Sequence, residues 1–193
     1  MTAPISRSGS LVGIAMPKLS ILVSFAVMAL LPTPVWAREV FAGIYAHGVD
    51  TPFSMDTEES GADLQVGYRF APLESLDFLG KPAPYFIASI NSKGNTSFAG
   101  AGLSWKLGSG PVYVRPELGI VLHDGPSRKI TETGRHVGLG SRVLFEPGVS
   151  IGVQVSDRLA IEASWIHLSH GQLCDPQQNP GLDMWGARVN LKL

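Results

Sequence analysis

The chain has 193 residues, 45% of them hydrophobic and 16% charged, with a net charge of −1. Its length allows one domain, and the near-zero charge excludes the electrostatic footprint of a nucleic-acid binder. High apolarity without a run that could span as a helix after the N-terminal region points to a transmembrane β-barrel, whose strands alternate lipid-facing and lumen-facing residues. Cys174 is the one cysteine, so no intrachain disulfide forms, and it reads as a spectator loop thiol.

The N-terminus reads as a secretory signal. Lys18 is a basic flank, Leu19 to Leu31 is an apolar core, Pro32-Thr-Pro breaks it, and Val35-Trp-Ala37 is a cleavage site with small residues. The core is short for a membrane anchor. Residues 1–37 are therefore expected to be removed, with Met16 as a possible true start, and residues 38–193 to form the mature barrel.

Eight antiparallel strands are expected, at Arg38–His47, Gly61–Phe70, Ala83–Asn91, Thr96–Leu107, Pro111–His123, Leu139–Val155, Leu159–Ser169 and Leu182–Leu193. The fifth places Val112, Val114, Leu118, Ile120 and Leu122 on one face, and Tyr113, Arg115, Glu117 and His123 on the other. The sixth and eighth alternate as cleanly; the first and third do not. An Arg or Lys facing lipid costs about 2–4 kcal/mol, so Arg69, Arg115, Arg142 and Arg188 are assigned inward. Asp63, Glu117, Glu146 and Glu162 share that parity and are expected to pair with them as the polar filling of a narrow barrel. Leu107–Pro111 and Val155–Leu159 read as tight turns, and Val49–Ser60, Asp124–Gly138 and His170–Gly181 as longer outer loops. Two links strain this scheme: Ala71–Pro82 is long for a periplasmic turn and Ser92–Asn95 short for an outer loop. The chain also ends on Leu193 rather than an aromatic residue. A soluble lipocalin-like barrel uses the same alternation with its faces reversed, and is the competing fold.

Strand seven holds His167 and Ser169 two residues apart, on the face of Ile161, Ala163 and Trp165. Strand eight carries Asp183 on the face of Trp185, Ala187 and Val189. All three polar residues take lipid-facing parity at the adjoining outer ends of neighbouring strands. A hydrogen-bonded series Asp183–His167–Ser169 there is a candidate serine esterase site that would meet a lipid. Trp165 and Trp185 suit an interfacial aromatic girdle. The alternative is a turn serine beside a histidine bonded to a loop carbonyl.

His167-Leu-Ser169, followed after a loop by Asn179-Pro-Gly181-Leu-Asp183 and a closing strand, resembles the lipid A 3-O-deacylases, the PagL-like outer-membrane enzymes. The resemblance implies an eight-stranded barrel in the Gram-negative outer membrane, with its active site toward the outer leaflet. It implies hydrolysis of the 3-O-linked acyl ester of lipid A within lipopolysaccharide, with His167, Ser169 and Asp183 catalytic and no cofactor. Two departures stand out: His170 follows the serine where the family has Asn, and Asp183 replaces a longer Glu. Main-chain N–H groups near His170 and Gly171 remain candidate oxyanion donors, with Asn179 holding the loop. His47, His123, His136 and His170 could gather at the outer rim as a metal site, but their spacing matches no ligand motif and they read as scattered loop histidines. Asp175 reads as a solvated loop acid. The expected partners are lipid A and outer-membrane lipids, with the protein a monomer or homodimer. A non-catalytic structural or adhesion barrel is the rival function, and a lipid carrier follows from the lipocalin fold.

Overall fold

The structure, a computed structural model, describes residues 37–54, 58–127, 138–174 and 179–193. The expected signal segment up to residue 36, His136 and Asp175 lie outside the described residues. Eight antiparallel strands close into a barrel: β1 (Ala37–His47), β2 (Ala62–Phe70), β3 (Ala83–Asn91), β4 (Phe98–Ser104), β5 (Val112–His123), β6 (Val143–Gln154), β7 (Leu159–Leu168) and β8 (Leu182–Lys192). Each strand pairs with the next, and β8 returns to β1 with Ala187 opposite Ile44. Closure pairs both edges of the sheet.

The alternation in the sequence decides which face is which. In β5, Val114, Leu118, Ile120 and Leu122 are exposed, while Tyr113, Arg115, Glu117 and His123 are buried inside. In β6, Val143, Phe145 and Ile151 are exposed, while Glu146 and Ser150 are buried. An apolar exterior around a charged interior is the reverse of a lipocalin. A continuous apolar band of this kind is stable against hydrocarbon, not water, so the soluble carrier is set aside. In β1 and β3 small residues blur the pattern. Ala42 and Ala46 flank Ile44 outside, while Phe41, Tyr45, Tyr85 and Ile87 turn inward. The inward rings need room across the sheet. Phe41 lies opposite Gly67, where a Cβ would come within 2.0 Å of the ring, and Tyr113 opposite Gly152, where it would come within 2.3 Å.

Buried charges persist only when paired. Arg69 donates to Glu117 at 2.8 Å, and Arg115 Nε to Glu162 at 2.8 Å. Arg188 bridges Glu117 at 2.8 Å and Glu162. Nearer the His47 end an apolar group, Leu144, Ile166, Leu168, Leu182 and Met184, fills part of the interior beside the buried polar residues His47, Asp63 and Asn91.

Several expectations need correction. Arg142 is not inside. It is exposed just before β6 and donates to the Gly125 carbonyl at 2.9 Å, because Gly140, with φ 76°, delays the strand until Val143. Among the described residues Asp63 pairs with no arginine; it accepts from His47 and Asn91, each at 2.8 Å. β4 stops at Ser104, with one further bridge between Leu107 and Val114. The long Ala71–Pro82 link is built around a 3-10 helix, Glu74–Leu79, closed by Gly80 in the left-handed region. β7 ends at Leu168, and Ser169 forms a separate bridge to Phe145.

Candidate active site

His167 lies directly opposite Asp183 in the β7–β8 register, two positions from the Trp165–Trp185 pair. Directly opposed residues share a face, and Trp185 is exposed on the outer wall, so His167 and Asp183 face outward as well. His167 Nδ1 donates to Asp183 Oδ1 at 2.8 Å. The acceptor-only carboxylate fixes the proton on Nδ1 and leaves Nε2 as a base.

Ser169 follows the end of β7. Its N–H donates to the Phe145 carbonyl at 3.2 Å, and its carbonyl accepts from the Phe145 N–H at 2.7 Å. Phe145 is exposed outside, so Ser169 shares the outward face of His167. Among the described residues no hydrogen bond joins the Ser169 hydroxyl to the His167 ring. Residues i and i+2 of a strand are about 7 Å apart along the chain, a gap that the long imidazole side chain spans in part.

Asp183 has outward parity yet is fully buried. Its cover is the loop after β1, which crosses the β1–β8 seam onto the outer wall. Gly48, with φ 65°, lets the chain reverse, and the Val49 N–H donates to the Asp183 carbonyl at 3.0 Å. The Thr51 hydroxyl donates to Asp183 Oδ2. Trp165 Nε1 donates to Asp183 Oδ1 at 3.0 Å. Phe53 then lies over Trp165, centroids 5.6 Å apart, and edge-on to His167 at 6.5 Å. Beneath this loop the wall forms a groove of about 410 Å³, lined by Asp50, Thr51, Pro52, Phe53, Val149, Trp165 and Trp185.

The loop before β8 is fitted to the histidine. Gly181 has φ 71°, and a Cβ there would sit 2.7 Å from His167 Cε1 and 2.8 Å from the Phe53 carbonyl oxygen. The Asn179 side-chain oxygen accepts the His170 N–H at 3.2 Å, so that main-chain donor is occupied. Gly171, also at positive φ, is exposed beside the Phe145 ring. His170 lies in the loop after β7, with its side chain buried. Cys174 is free and exposed.

His47 is not a loop histidine but the last residue of β1. It is buried inside the barrel mouth, with Nδ1 at 2.8 Å from Asp63 and Nε2 at 2.7 Å from Glu59. Burial alone would raise the Glu59 carboxyl, but hydrogen bonds from His47 and Thr96 outweigh it and hold the group below its ordinary value. His123 Nε2 donates to the Ser141 carbonyl at 2.6 Å. Among the described residues no group of three His, Cys, Asp or Glu side chains is placed to hold a metal.

The family model of the lipid A 3-O-deacylases, PagL, matches residues 56–192. The chain belongs to this family. Membership places it among hydrolases that act on lipid A in the Gram-negative outer membrane. The crystal structure of the outer membrane enzyme PagL superposes with a TM-score of 0.57 at 13% identity, covering 80% of this chain and 99% of that one. Neisserial surface protein A (NspA) superposes with a TM-score of 0.51, also at 13% identity, covering 81% of this chain and 97% of that one. At this identity the likenesses establish the barrel fold. No curated protein matches the sequence.

Three partners of the site escaped sequence reasoning. Thr51 and Phe53 arrive from a loop over a hundred residues earlier, with no motif to announce them. Parity and residue type assign Trp165 to the girdle alone, although an indole on the strand face next to an outward acid signals that its N–H needs an acceptor.

Proposed function

We propose that this deacylase hydrolyses the 3-O-linked acyl ester of lipid A with Ser169 as nucleophile, His167 as general base and Asp183 as its orienting acid. The observation that carries the reading is the 2.8 Å His167–Asp183 hydrogen bond on the lipid-facing wall, with Ser169 next along the same face. In this mechanism the Ser169 hydroxyl turns toward His167 Nε2 as substrate binds, since catalytic hydrogen bonds tighten in the complex. Its oxygen forms a bond to the ester carbonyl carbon while its proton passes to Nε2. Asp183 stabilises the imidazolium that results. The Gly171 N–H is the oxyanion donor, because Asn179 already occupies that of His170. Collapse breaks the ester bond, and the 3-hydroxyl of lipid A leaves with the proton from His167. Water, deprotonated by His167, then releases the fatty acid from Ser169.

An outward nucleophile meets a lipid in the plane of the membrane, and the groove walled by Pro52, Phe53, Val149, Trp165 and Trp185 offers apolar surface for the departing acyl chain. With β1 starting in the periplasm, this end of the barrel faces the outer leaflet. The test is mass spectrometry of lipid A from cells expressing wild-type protein or Ser169→Ala. Wild type should remove one 3-O-linked acyl chain and Ser169→Ala none. Equal loss from both would overturn the assignment, and no loss from either would favour the structural barrel.

A further inference from the structure

We propose that Thr51, in the loop between β1 and β2, is a positioning residue that locks the Asp183 carboxylate toward His167. The inference rests on the catalytic reading of His167, Ser169 and Asp183, and it extends the site beyond strands seven and eight. Thr51 also lies ahead of residues 56–192, the part matched by the family model.

An aspartate side chain has a broad, two-fold torsion at its carboxylate, so the strand alone does not set the tilt of the carboxylate plane toward the ring. Here the two oxygens are held differently. Oδ1 accepts from His167 Nδ1 at 2.8 Å and from Trp165 Nε1 at 3.0 Å, while Oδ2 accepts from the Thr51 hydroxyl. Tilting the carboxylate plane away from this setting would break all three bonds at once. The donor is itself fixed. Thr51 Oγ1 accepts the Phe53 N–H at 3.0 Å, and β-branching limits its rotamers. The loop is pinned to the same residue through the backbone, by the Val49 N–H on the Asp183 carbonyl at 3.0 Å. Thr51 thereby supplies the alignment that the short aspartate side chain lacks, across 132 residues of sequence.

The experiment compares full-length Thr51→Val, which keeps the branched shape without the donor, with Thr51→Ser, which keeps the donor. Each is purified from outer membranes and assayed on lipid A in mixed micelles, with rates normalised to the fraction showing heat-modifiable gel mobility. The expected result is a loss of about tenfold or more in kcat for Thr51→Val with KM unchanged, and near wild-type kcat for Thr51→Ser. A Thr51→Val protein with wild-type kcat overturns the proposal. So does an effect on KM alone, or an equal kcat loss in both variants, which would assign the effect to loop packing. Ser169→Ala, run alongside, separates the two readings. If it is inert while Thr51→Val is fully active, only the role of Thr51 fails; if it retains activity, the catalytic assignment fails first.

Discussion

Replacing Gly181 with alanine tests how tightly the His167 ring is placed. At φ 71° an alanine is strained by about 1–2 kcal/mol. Its Cβ would lie 2.7 Å from His167 Cε1 and 2.8 Å from the Phe53 carbonyl oxygen. Ordinary contact begins at about 3.5 Å, so both neighbours must retreat. The imidazole gives way by turning about its two side-chain bonds, and the loop that carries the Phe53 oxygen has to shift as well. The ring's displacement stretches the 2.8 Å bond to Asp183 beyond hydrogen-bond range and carries Nε2 away from its line to Ser169. A misplacement of about 1 Å costs on the order of a hundredfold in rate. The backbone strain is small beside the stability of a folded domain, so the barrel should persist. The assay is initial-rate deacylation of lipid A in mixed micelles, with heat-modifiable mobility as the measure of folding. A well-folded Gly181→Ala protein within about threefold of the wild-type rate would refute the claim that the ring position limits catalysis.

Two further outcomes follow from the interior and the loop anchor. Arg188→Met removes the cation shared by Glu117 and Glu162 and should cost about 3 kcal/mol, read as a lower urea midpoint for unfolding in detergent, with Glu162→Gln in the same chain restoring part of it. Because the Glu59 carboxyl is held below its usual value near 4.5, its contribution to anchoring the first loop is present above that pH and is lost as pH falls through the depressed value. Proteolysis of residues 48–61 should therefore accelerate in acid with an acid-stable protease, and Glu59→Gln should flatten the pH dependence; an unchanged profile would refute the anchoring role.

The barrel was legible because the long strands carry unambiguous period-2 chemistry. In β5 and β8 every exterior apolar residue is separated from the next by an interior one, and the cost of an arginine in lipid orients the whole set. That rule misplaced Arg142 because it assumes the residue lies in a strand, whereas Gly140 keeps the chain out of β geometry until Val143. In β1 and β3, alanines outside and aromatic rings inside invert the usual size cue, and the glycines that make room for the rings sit on neighbouring strands. Within the site, the placement of His167 opposite Asp183 follows from parity and adjacency, which are local properties. The contacts of Thr51, the edge-on approach of Phe53 and the burial of His47 between Glu59 and Asp63 depend on how one loop crosses a rim. No short-range pattern encodes such a crossing.

The burial of Asp183 shows why that loop and the acid belong together. An aspartate at a lipid-facing position is destabilising unless its charge is hydrogen-bonded and screened from hydrocarbon. Along the same face of β8 the other residues, Trp185, Ala187, Val189 and Leu191, obey the apolar rule. Asp183 departs from it, and the departure is sustained by donors from two neighbouring elements: His167 and Trp165 of β7, and Thr51 of the β1–β2 loop. A structural barrel has no need of such an arrangement, since an apolar residue at position 183 would satisfy the wall without a cover. The cost of keeping a carboxylate there, and of folding a loop over the seam to shield it, is intelligible if the outward face must hold a charged imidazole steady while a lipid ester is attacked.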